Sequence, residues 1–122
     1  MLRLSFLLSM ASLCLVIAAG GFPRESRAED TSAARQDLIK RGAAVYKTRC
    51  LLCHNAEGKS PNKRLRFADH EWKHGRKPEQ IQKVVADGLK GTAMMGFKNR
   101  LKEDDIKAVT AYIMDLSEKS KE

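Results

Sequence analysis

Residues 50–54 read Cys-Leu-Leu-Cys-His. Thiols three positions apart share one face of a helical turn, and an imidazole follows the second thiol at once. No other feature of the 122 residues constrains the fold as much, because this is the spacing of a covalent haem attachment. Both thiols reach the two vinyl groups along one edge of a porphyrin and form thioethers. The imidazole of His54 then projects under the plane to ligate iron. A tether of this kind fixes the group in a chain too short to hold it by packing alone. Cys50, Cys53 and His54 are therefore the first candidate site residues.

The same cysteines have three other readings. One is a simple disulfide in an oxidising compartment. Another is a thioredoxin-like redox pair, which expects a strand–helix setting that the pattern lacks. The third is a zinc-binding module. Cys50 and Cys53, then 16 residues, then His70 and His74 fall just outside the Cys2His2 spacing. Against zinc stand the immediate His54, the export signal described next, and the absence of a helical pattern around His70–His74.

The first 28 residues read as a secretory signal. Met1–Leu2–Arg3 is a basic start, Leu4 to Gly21 carries no charge, and Ser26–Arg27–Ala28 is a small-residue exit suited to cleavage after Ala28. Cys14 is then one small apolar residue of a discarded segment. The rival reading keeps the segment as an uncleaved anchor, since 18 uncharged residues lie near the lower limit for a membrane span. Residues 29–122 form one domain. Removal of the signal takes three of the 23 basic and one of the 15 acidic residues, leaving 20 against 14, or +6. The remaining aromatics are Tyr46, Phe67, Trp72, Phe97 and Tyr112. So small a core commonly needs a metal, a disulfide or a prosthetic group to complete it. The composition excludes a multi-span membrane protein and disfavours a large enzyme.

Periodicity predicts an all-α domain. Leu38, Val45 and Tyr46, with Ile39 and Ala43 beside them, give one apolar stripe from Ala33 to about Cys50. Thr31 or Ser32 is the expected cap after a polar lead-in. Gly42 inside this helix implies a close neighbour. Asn55 to Lys77 reads as a long loop with a short turn near Asp69–Lys73. Pro78 opens a second helix with Ile81, Val84, Val85 and Leu89 on its apolar face, and Gly88 stops it. Gly91 to Arg100 is another loop. The last helix runs from about Lys102 to Ser117, with Glu103, Asp104 and Asp105 at its positive end and Ile106, Val109, Ile113 and Leu116 as its stripe. No two-residue alternation supports a sheet.

A sixth iron ligand is sought opposite His54. Met94 and Met95 lie in a loop about 40 residues on, far enough for the chain to cross to the other haem face. Only one of two adjacent methionines can ligate axially. His70 and His74 are weaker rivals, and core filling is the bland role of any Met.

These residues resemble the class I mono-haem cytochromes c over nearly all of Gln36 to Ser117. Gly42, Tyr46, Cys50, Cys53 and His54 fit the family pattern G-x-x-x-[YF]-x-x-x-C-x-x-C-H. The resemblance implies that the first and last helices cross at Gly42 against Tyr112. The family's M-P-x-F signature is matched by Met94–Met95–Gly96–Phe97, and the phase set by Phe97 makes Met94 the axial ligand. Trp72 and Gly75 ahead of Pro78 resemble the loop before the third helix of bacterial members. The departures are Asn55 for the glycine after the haem His, Met95 for proline, and Lys102 for the usual Ser or Thr cap.

The resemblance implies a cytochrome c-like fold around one covalent haem c, His54/Met94 ligation, and single-electron transfer in the periplasm rather than enzymatic catalysis. Phe97 and Trp72 are candidate shields of the haem edges. Lys59, Lys63, Arg64 and Arg66 crowd one loop, and Lys98, Arg100 and Lys102 follow the methionines, which suits redox partners with acidic docking faces. A solvated basic surface is the plainer reading, and nucleic acid is not an expected partner. Two other functions stay open. One is a membrane-tethered electron-entry subunit of a larger redox complex, anchored in the inner membrane and facing the periplasm. The other is a five-coordinate haem sensor or peroxidase-like protein, for which no distal acid–base pair is evident.

Overall fold

The computed structural model describes residues 25–68 and 72–121. The expected signal segment lies outside these residues except for its last four, and His70 and most of the turn expected near Asp69–Lys73 lie outside them too. Four helices follow in order: α1 (Glu25–Arg49), α2 (Leu51–His54), α3 (Pro78–Asp87) and α4 (Glu103–Lys119). Among the described residues there is no strand, only one isolated antiparallel bridge between Gly88 and Met95. The all-α architecture with three main helices and long loops is as expected.

The first helix begins earlier than its apolar stripe. It includes the polar lead-in, and Thr31 and Ser32 lie inside it instead of capping it. Ala, Arg, Glu and Gln are good helix formers, and neither Gly nor Pro interrupts 25–41, so propensity carries the helix where burial does not. Asp30 to Asp37 are all exposed. Arg35 ties this stretch to the far end of α4 through Glu118 at 3.1 Å.

Helices α1 and α4 cross where Gly42 meets Ala108. A Cβ at Gly42 would be driven into the Ala108 carbonyl and would come within 2.9 Å of Tyr112 Cβ. Only glycine permits this approach, which the resemblance located correctly. The ring of Tyr46 stands edge-on to Tyr112 at 5.3 Å, and α3 also packs on α4. The core is Tyr46, Ile81, Val85, Phe97, Ile106, Val109 and Ile113.

Pro78 takes the first turn of α3, where its missing N–H costs nothing. The Gln80 side chain reaches back to accept the Lys77 N–H at 3.1 Å. Gly88 ends the helix at φ 73°. Lys102 starts α4 without a side-chain cap, and Glu103, Asp104 and Asp105 supply the favourable charge there instead. No helix among the described residues is long and apolar enough to cross a membrane.

Candidate functional site

The attachment segment is a single turn set on the end of α1. Cys50 donates its N–H to Tyr46 O at 2.8 Å, and its carbonyl accepts from Cys53 at 3.2 Å and His54 at 2.9 Å. Helix α1 thus ends one residue short of the expected Cys50, which caps the short α2. Both thiols are unbridged, Cys50 half-buried and Cys53 exposed. Burial, helped by the neighbouring Cys53 thiol, pushes Cys50 up to about 11. Leu51 packs on the core, whereas Leu52 is 95% exposed.

His54 is half-buried, with Nδ1 2.5 Å from Leu65 O. A carbonyl only accepts, so Nδ1 carries the proton and Nε2 keeps its lone pair for a metal. Leu65 reaches this position because the loop folds back on itself. Gly58 O accepts from both Phe67 N–H at 3.2 Å and Ala68 N–H at 3.3 Å. Phe67 lies 5.4 Å from the His54 ring, 6.1 Å from Tyr46 and 5.9 Å from Trp72. Sequence reasoning missed Leu65, since a backbone acceptor leaves no trace in residue type.

The methionine loop is held differently. The last carbonyls of a helix have no partner within it, and here the loop supplies them. Phe97 N–H bonds Val85 O at 3.0 Å and Lys98 N–H bonds Ala86 O at 3.1 Å, while Leu89 N–H bonds Met94 O at 2.9 Å. A Cβ at Gly96 would stand 2.6 Å from Ala86 O, so glycine is needed for the segment to lie on α3. Gly96 is a second residue the sequence reading left without a role. Phe97 is buried. Met94 is half-buried against the core, whereas Met95 is 52% exposed and its sulfur accepts from Arg100 Nη1 at 2.9 Å.

Of the other candidates, His74 is exposed. Trp72 is half-buried, and its Nε1 is buried without a hydrogen-bond partner among the described residues. With Arg76, Ile81 and Met114 it lines a cavity of about 250 Å³. Among the described residues no three His, Cys, Asp or Glu side chains gather into a metal site. The cavity, also lined by Ser117, Glu118 and Lys121, includes none of the candidate haem-binding residues Cys50, Cys53, His54 and Met94. An imidazole with a free Nε2, two unbridged thiols within the preceding turn and a half-buried methionine are a donor set that fits haem c.

Residues 37–113 match the family profile of cytochrome c oxidase, cbb3-type, subunit III. The chain is also 33% identical over 109 residues to cytochrome c6 of Synechocystis sp., covering 87% of this chain and 83% of that one. The chain belongs to the class I c-type cytochromes. This cytochrome is further similar to the cbb3-type cytochrome c oxidase subunit FixP of Sinorhizobium medicae, at 26% identity over 69% of its own length and about a third (32%) of FixP. No solved structure gives a significant match. The family implies covalently attached haem c and electron transfer to and from redox partners, so this cytochrome is an electron carrier.

Proposed function

We propose that this cytochrome is an exported single-electron carrier holding one haem c through Cys50 and Cys53, with His54 and Met94 as axial ligands. The observation that carries the assignment is the split between neighbouring methionines: Met94 is turned to the core while Met95 is turned out and held by Arg100. When bound, the haem supplies a one-electron ferric/ferrous couple. The protein keeps that centre in nearly one geometry. Leu65 O fixes the tautomer and direction of His54, and the end of α3 fixes the Met94 loop. Phe67, Trp72 and Phe97 exclude water beside the two ligand-bearing segments.

Export to the periplasm rests on the signal-like residues 1–28. Docking rests on charge. Lys59, Lys98 and Arg100 already have intramolecular partners. Lys63 and Arg64 are exposed and form no ion pair among the described residues, which leaves them for steering an acidic partner face. Reduction by such a partner should slow as ionic strength rises; a salt-independent rate would remove the steering role. The ligand assignment is tested by the visible and near-infrared spectrum of protein matured with haem-attachment machinery. A weak near-infrared sulfur–iron band is expected, and its absence, together with ready binding of carbon monoxide, would replace this reading by the five-coordinate one.

Similarity to FixP supports a second reading, a tethered electron-entry subunit of a larger redox complex. N-terminal sequencing of the native protein separates the two. A start near Glu29 supports the free carrier, and retention of residues 1–28 supports the tether.

A further inference from the structure

Asn55 follows His54 directly and has φ 59° and ψ 173°. That backbone region is essentially open to glycine alone, and a side chain at φ 59° is strained there. Family members place glycine at this position, and this chain does not. Something must hold the asparagine, and three hydrogen bonds do. Its N–H bonds Leu51 O at 2.9 Å, and its carbonyl accepts from Gly58 N–H at 3.3 Å. The shortest comes from the Tyr46 hydroxyl, which donates to Asn55 O at 2.6 Å.

Tyr46 is suited to this work. Its side chain is almost fully buried, and it is locked between Tyr112 and Phe67. Burial is the main cause that pushes the phenol well above its ordinary range, so the hydroxyl stays a donor at any working pH. Phenylalanine would pack equally well in this position but would leave Asn55 O with one weak partner.

We infer that the Tyr46 hydroxyl is a positioning group for His54: it clamps the strained peptide behind the ligand, as Leu65 O clamps the ring in front. The inference rests on His54 being the axial ligand. In Tyr46→Phe, Asn55 relaxes toward ordinary backbone angles, the peptide joining it to His54 turns, and the imidazole loses its single orientation. Glycine at 55 needs no clamp, so Asn55→Gly should make the hydroxyl dispensable. The two residues are therefore coupled through the backbone, and a double-mutant cycle reads that coupling.

The test compares wild type, Tyr46→Phe, Asn55→Gly and the double variant as ferric holoproteins. Paramagnetically shifted His54 ring signals are followed by NMR, beside the folding equilibrium in denaturant. Tyr46→Phe alone should displace or broaden the His54 signals and lower the folding constant about tenfold, the upper range for one buried hydrogen bond. The double variant should restore one sharp set of His54 signals. If Tyr46→Phe does not accumulate, the double variant must. Unchanged His54 signals in Tyr46→Phe, or no recovery with glycine, overturns the inference. Absence of shifted His54 signals from wild type would instead refute the axial assignment itself.

Discussion

On the His54 side the proposed ligand is held within a short stretch of chain. Cys50 O sets the turn, Leu65 O holds the ring, and Asn55 closes the segment behind it, all between residues 46 and 68. The Met94 side has a smaller frame of its own, in which Leu89 N–H bonds Met94 O at 2.9 Å and Met94 N–H bonds the Thr92 hydroxyl at 3.1 Å. Beyond it the loop is laid on the end of α3 through the carbonyls of 85 and 86. One side is closed within a loop, the other leans on a helix end. Damage to α3 should therefore release Met94 and spare His54, and local unfolding should begin on the methionine side, whose loop depends on the end of one short helix.

Met94→Ala should separate the two sides most sharply. It should abolish the near-infrared sulfur–iron band while the haem stays covalently bound, whereas Met95→Ala should leave the band intact. A reversed pair of spectra would transfer the ligand to Met95. The next largest effect is expected from Gly96→Ala. The new methyl meets Ala86 O and lifts the loop from α3, at a cost of roughly 2 kcal/mol. Denaturant unfolding followed in the near infrared should then precede loss of helical signal. Coincident transitions would mean that the two sides unfold as one.

How far the sequence could be read follows the same division. Cys50, Cys53 and His54 stand out in the sequence because haem attachment would need those residue types at that spacing, and the structure sets them on one turn. Gly42 and Tyr112 were legible through the family pattern, and the close approach to Ala108 shows why glycine stands there. The apolar stripes marked α3 and α4 to within about two residues, since burial and helix largely coincide there, although Leu89, counted on the α3 face, lies past Gly88 outside the helix. In α1 burial and helix do not coincide, and residues 30–37 are exposed helix that no stripe could mark. Leu65, Gly96 and the carbonyls of α3 act through the backbone, where residue identity carries little information. The basic loops read as an open positive surface, yet several of those charges are partly spent on Glu57, Asp87 and Met95.

The smallest expected effect concerns Asp87, where Lys83 and Lys98 meet at 3.0 and 3.2 Å. Hydrogen bonds from Lys83 and Lys98, then their charges, hold its carboxyl below the usual range. A carboxyl depressed on folding stabilises the native state above its unfolded pKa, about 3.9, and that help fades as pH falls through the lower folded value. Asp87→Asn should thus lower the thermal midpoint slightly at neutral pH, with the difference closing below about pH 4. Both ion pairs are exposed, so high salt should shrink the difference as well. A difference that persists in acid would place the cause elsewhere than in the charge.

Both the site and the carrier role depend on a porphyrin joined through both cysteines to the turn that carries His54. Intact-protein mass spectrometry with a thiol count, on material exported through a haem-attachment pathway, tests it most directly. The added mass of one haem is expected, retained after acid–acetone extraction, with neither Cys50 nor Cys53 open to alkylation. A mass equal to the bare polypeptide, with two alkylatable or merely disulfide-bonded sulfurs, would contradict it.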